Sequence, residues 1–152
     1  MSDFKADDSH SLGRFKLVSR CFNEKDRTSA EILHAVNGLK SNDQQQALKG
    51  LIHMLKLAQL GKPFNQLVDS TTAHEAFEPF YCEITKRNET VWRYRHGDIR
   101  ILFYYAANKV VLLAHILPKR RDRLSAKDMN QARQSVFEFL NASQLETGIK
   151  WI

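Results

Sequence analysis

The sequence predicts an α+β domain, and three observations carry that expectation. Residues 91–117 alternate side-chain types around two turn signals, as a strand meander does. Ahead of them, two stretches repeat apolar residues at helical spacing, and a third such stretch follows. Strands and helices thus fall into separate runs, which fits helices packed against one side of an antiparallel sheet.

The elements can be justified in order. Residues 1–12 read as a loose polar arm, and residues 15–22 (FKLVSRCF) as a strand. Asp26, Arg27, Thr28 and Ser29 offer capping groups for a first helix. Its apolar positions are Ile32, Leu33, Val36 and Leu39, with Gly38 near its end. Asn42 or Asp43 can cap a second helix, in which Leu48, Leu51, Ile52 and Leu55 form the apolar stripe. Gly61 and Pro63 stop it. Residues 64–79 show no period, and residues 80–85 suggest another strand that turns through Arg87, Asn88 and Glu89. After the meander, Ser125 caps a last helix with Met129, Ala132, Val136 and Phe139 as its stripe. The domain is expected to span residues 13–140, with residues 141–152 as a C-terminal extension.

The meander carries most of the functional information. With Gly97 and Asp98 as a two-residue loop, His96 pairs with Ile99, Arg95 with Arg100, and Arg93 with Leu102. Side chains alternate along a strand, so Arg93, Arg95, Arg100 and Tyr104 share one face. Trp92, Tyr94, Ile101 and Phe103 take the other and are expected in the core. If Tyr105 pairs with Val110 across the next turn, His115 falls opposite Arg100. Lys119, Arg120, Arg121 and Arg123 follow just past the third strand. Like charges directly opposed are destabilising. A phosphate would relieve them, and it fits arginine forks well.

Composition sets the limits. A chain of 152 residues, 43% hydrophobic and 26% charged, suits one soluble domain with a true core. No apolar run approaches the roughly 18 residues of a membrane span. The start of the chain has no signal-peptide core, so a cytoplasmic protein is expected. Cys21 and Cys82 are expected as reduced, buried thiols. The net charge is +6, and residues 86–123 hold ten lysines and arginines against three acids, a net of +7. Charge localised in this way suggests a nucleic-acid footprint. No cofactor is expected. A zinc site from His96, His115 and Cys82 has the wrong ligand spacing.

The pattern resembles the RelE/ParE superfamily of bacterial toxins, especially its HigB-like (phage-Gp49-like) branch. The resemblance rests on FKLV at Phe15, the two-helix hairpin, WRYRHGDIRILFYY at Trp92 and KVVLLAHILPKRRDR at Lys109, with Ala126, Ala132 and Arg133 in the last helix. It covers roughly residues 14–140. It implies a compact β-α-α-β-β-β-α fold and, for many members, cleavage of mRNA on the ribosome. The matching positions for basic residues around the scissile phosphate are Arg93, Arg95, Arg100, Lys119 and Arg120. The implied chemistry is attack by the 2′-hydroxyl on the adjacent phosphorus.

His115 is the expected general base, with His96 at the turn as a substitute and Tyr104 as a further acid–base group. Arg100, Arg120, His115 and Tyr104 are the candidate catalytic residues. Arg93, Arg95, His96, Lys119, Arg121 and Arg123 are the candidate RNA contacts. Each has a plainer alternative. The arginines would be a solvated face paired with Glu83, Glu89 and Asp98. His115 would be a satisfied core histidine, Tyr104 packing, and residues 119–123 a soluble loop. The resemblance also implies a partner, a small cognate antitoxin, often with a helix-turn-helix domain. It departs in one respect, since no tyrosine or histidine follows Arg123. That departure keeps two rivals open, a ParE-like gyrase inhibitor and a non-enzymatic nucleic-acid-binding module.

Overall fold

The computed structural model describes residues 13–21, 30–119, 124–145 and 150–151. In chain order the elements are β1 (Lys16–Val18), β2 (Arg20–Cys21), α1 (Glu31–Asn37), α2 (Ser41–Ala58), α3 (Phe64–Leu67), β3 (Ala73–Glu75), β4 (Phe80–Cys82), β5 (Arg87–Glu89), β6 (Trp92–His96), β7 (Ile99–Ala106), β8 (Val110–Pro118), α4 (Ala126–Leu145) and β9 (Lys150–Trp151). The expected arm, the capping residues 26–29, and Arg120, Arg121 and Arg123 lie outside the described residues.

The architecture is α+β, built on a five-stranded sheet ordered β1-β8-β7-β6-β3. Two expectations need correction. The sheet is mixed, because β1 runs parallel to β8. No tight hairpin joins that pair, so nothing forces it antiparallel. The helices also cover both faces. Ile32 and Val36 of α1, Ala47 and Met54 of α2, and Phe64 of α3 pack on Tyr94, Ile101, Phe103 and Ile116. On the other face, Ala132 and Val136 of α4 pack on Leu102, Tyr104 and Leu112. β7 therefore runs buried without interruption from Ile99 to Tyr104, as a strand covered on both sides does.

The β6–β7 register matches the expected pairing at all five positions, from Trp92↔Phe103 to His96↔Ile99. Gly97, at φ 57°, opens the two-residue loop. A side chain there would also strike the Gln46 Oε1 that accepts from the Asp98 amide.

The second turn differs from expectation. Ala106 pairs with Val110, around a three-residue loop in which Asn108 and Lys109 both have positive φ. A β-bulge follows, with Phe103 opposite Leu113 and Leu102 opposite His115. Ala114 is thus the supernumerary residue, and its carbonyl accepts from the buried Ser135 hydroxyl of α4 at 2.9 Å. The two shifts together move His115 from Arg100 to Leu102, but keep it on the arginine face.

Of the stripe expected in the second helix, Leu51 is buried and the other three residues are not. The helix's buried residues are Asp43, Ala47, Gly50, Leu51, Met54 and Ala58. Leu48, Ile52 and Leu55 of the apolar stripe point outward. The cause is close packing, since a Cβ on Gly50 would lie 3.0 Å from the His96 Cβ and 3.2 Å from Ile101. Small residues let α2 press on the sheet, so size rather than hydropathy selects the inner face.

Cap chemistry differs in detail too. α1 starts at N-cap Ala30 without a side-chain cap of its own, and Ser19 Oγ accepts from the Ile32 amide at 3.1 Å. The aperiodic stretch holds α3 and the edge strand β3, and the expected strand near residue 80 is a small β4–β5 hairpin. α4 runs past residue 140 to Leu145, and β9 pairs with β2. Cys21 and Cys82 are both buried. No helix among the described residues is long and apolar enough to cross a membrane.

Candidate nucleic-acid interface

α4 covers the Tyr104 end of the arginine face, and the three arginines gather at the other end. They sit at three depths. Arg95 is exposed, Arg93 is half-buried, and Arg100 is only 2% exposed. Arg100 Nη1 donates to the carbonyls of Gly97 at 2.9 Å and Ile99 at 3.0 Å, so it braces the hairpin from within. Its Nε, like that of Arg93, is buried with no hydrogen-bond partner. Burial lowers the pKa of both, and the neighbouring arginines add to it. Guanidiniums nonetheless stay charged in proteins.

No carboxylate among the described residues lies within ion-pair distance of Arg93, Arg95 or Arg100. Glu89, one expected neutralising partner, pairs with Arg87 at 3.0 Å instead. The cluster therefore lies at the turn end of the hairpin with no ion-paired carboxylate among the described residues, and the more distant Asp98 charge acts on Arg100.

A histidine that sequence reasoning missed belongs to it. β3 pairs with β6 so that His74 lies opposite Arg93, and Arg93 Nη2 contacts His74 Nε2. The Glu75 carbonyl can only accept, so His74 Nδ1 donates to it at 2.7 Å, leaving Nε2 as acceptor for Arg93. His74 falls in the aperiodic stretch, where no spacing marked it.

The other expected residues scatter. His115 stands two strands from Arg93, about 10 Å away, with buried Leu102 between them. Its Nε2 contacts Asp128 Oδ1 at 2.9 Å. Tyr104 is 3% exposed and lies four residues along β7 from Arg100, about 13 Å. Burial, then the Glu89 carboxylate, pushes its phenol far above the usual range. Lys119 is held beside the hairpin turn, where its amide donates to the Asp98 carbonyl at 2.6 Å.

His96 faces away from the arginine side, toward α2. Its ring meets His53 edge-on, with centroids 4.8 Å apart. Burial, then His53 and Lys49, lowers its pKa and favours the neutral ring. Beside β3, at the turn end of β6, the two surfaces meet. His53, Thr71, Thr72, Tyr94, Arg95 and His96 line one cavity of about 480 Å³. Its volume suits a nucleotide-sized ligand.

No protein-family model matches the chain, and no curated protein matches it.

A cationic cluster without an ion-paired carboxylate among the described residues, with His74 against Arg93, can hold phosphate oxygens. The His115–Asp128 pair serves the fold instead. Ser125 caps α4 as expected, accepting from the Asp128 amide at 3.1 Å and donating to Asp128 Oδ2 at 2.8 Å. Burial pushes the Asp128 carboxyl up, but the hydrogen bonds from His115 and Ser125 outweigh this and hold it below its ordinary value. Its contribution is then complete above the unfolded aspartate pKa of about 3.9, and is lost as pH falls through the lower folded value. Asp128→Asn should lower Tm at pH 7 and flatten the fall in Tm below about pH 4. Identical acid limbs for variant and wild type would refute the assignment.

Proposed function

We propose that the chain is a RelE/HigB-like toxin of a bacterial type II toxin–antitoxin module, acting as a ribosome-dependent mRNA endonuclease. One observation carries the RNA-binding half: Arg93, Arg95 and Arg100 converge on one face with no carboxylate partner among the described residues. The toxin half is supported by the sequence resemblance and by the order of strand, helix pair, three-stranded meander and terminal helix.

In this reading the 2′-hydroxyl attacks the adjacent phosphorus, the bond to the 5′-oxygen breaks, and a 2′,3′-cyclic phosphate and a 5′-hydroxyl result. Arg93 and Arg95 hold the non-bridging oxygens as charge builds on them. Arg100 adds fixed positive charge from beneath rather than a direct contact. His96, which shares the cavity with Arg95, takes the 2′-hydroxyl proton, and solvent protonates the leaving oxygen. Lys119 and the basic residues after it guide the strand. A small cognate antitoxin, often a helix-turn-helix protein in the family this chain resembles, would neutralise the module in the cytoplasm.

A second reading is favoured by the separation of His115 and Tyr104 from the arginines. Here the same surface binds without cutting, as a ParE-like gyrase inhibitor or a nucleic-acid-binding regulatory module would. Primer extension on translating ribosomes separates the two. Cuts in the message at codon-linked positions support the nuclease. Intact message with DNA damage supports gyrase inhibition, and intact message without toxicity supports the regulatory module.

A further inference from the structure

The outward stripe on α2 has no partner among the described residues. Leu48, Ile52, Leu55 and, just past the helix, Leu60 are between 45% and 62% exposed. Tyr81 is the one other large hydrophobic side chain so exposed among the described residues. At about 100° per residue, Leu48, Ile52 and Leu55 fall within one narrow sector of the helix surface. Lys49 and Lys56 follow along one edge of that sector, both exposed and both without a carboxylate in ion-pair distance among the described residues. The helix's one acid, Asp43, is buried. Clustered apolar exposure of this kind marks an interaction surface.

We infer that the outer face of α2 docks an amphipathic helix of a separate protein, one with aliphatic anchors and acidic residues along one edge. The anchors would seat between Leu48, Ile52 and Leu55, as in helix-in-groove recognition. The acids would meet Lys49 and Lys56 and fix the direction of the partner. A second copy of this chain fits poorly, because a twofold antiparallel pairing sets Lys49 and Lys56 beside their own counterparts. A lipid surface fits poorly as well, because the apolar sector is only about 60° wide and the lysines line one edge alone. The inference holds whether or not the arginine face takes RNA.

Two synthetic helical peptides test it against the full chain by fluorescence anisotropy. Both carry leucines at i, i+4 and i+7, and one has glutamates along one edge where the other has lysines. The glutamate peptide should bind at least about tenfold more tightly at low salt, where such charge contacts are least screened. Lys49→Glu with Lys56→Glu should reverse that order, and Ile52→Asp should abolish binding of both while leaving Tm unchanged. Failure of the glutamate peptide to bind, or an order that the charge swap leaves alone, overturns the inference. So does a wild-type dimer in sedimentation that Ile52→Asp makes monomeric, or binding to vesicles of anionic phospholipid that Ile52→Asp removes.

Discussion

Replacing Arg93 and Arg95 together by alanine should lower ribosome-dependent cleavage by at least about 10³-fold. A single donor to a developing oxyanion typically contributes about 10²–10³, and these two are the cluster's solvent-reachable members. The salt dependence should change with it. For single strands, log affinity falls with log salt at about 0.7 per neutralised phosphate, so losing two contacts should shallow the slope by about 1.4. Tm should move little, because Arg95 is exposed and Arg93 is bound through its guanidinium to His74 at the edge strand. Arg100→Ala is a poorer probe, because it also removes the brace on the hairpin carbonyls. His115→Ala and Tyr104→Phe should leave cleavage within about threefold, since neither side chain reaches the arginines. If those two variants lose activity while the arginine pair keeps it, the assignment of the site to the hairpin end is wrong.

Phe64→Ala should have the largest effect on stability. The ring is fully buried and meets Phe15, Tyr94, Phe103 and Tyr105 with centroids 5.3 to 6.4 Å apart. Its amide donates to the Tyr105 hydroxyl at 2.8 Å, and that hydroxyl donates onward to Asn65. Truncating a buried phenylalanine costs about 3–5 kcal/mol. At about 2–4 °C per kcal/mol for a chain of this size, Tm should fall by roughly 6–20 °C. A shift under about 3 °C in a thermal melt would mean that α3 is not part of the main core.

The sequence was legible where local chemistry overdetermines geometry. Gly97 and Asp98 fix a two-residue turn, so the faces of Arg93, Arg95 and Arg100 could be read before any coordinates. The next turn was not legible. Asn108 and Lys109 both adopt positive φ, and the bulge at Ala114 has no signature in composition. Alternation also says which face a side chain takes, but not how deep it lies. Arg100 and Arg95 are register partners, yet one is buried and the other exposed. For α2, hydropathy favoured the leucine stripe, whereas Ala47, Gly50 and Ala58 set the closest approach to the sheet. His74 was invisible because a three-residue edge strand is too short to show a period.

The extra residue in β8 marks the place where this strand can lose a residue without changing register. Leu113 already faces Phe103 and His115 already faces Leu102, so every pairing from His115 to Pro118 stands without Ala114, as do His115 on Asp128 and the Lys119 amide on Asp98. A deletion there would close the bulge and leave residues 115–118 on their present faces, at the cost of the Ala114 carbonyl that accepts from Ser135. Homologous chains should therefore tolerate a one-residue gap at Ala114 without a compensating gain, while keeping apolar residues where Val111, Leu112 and Ile116 stand.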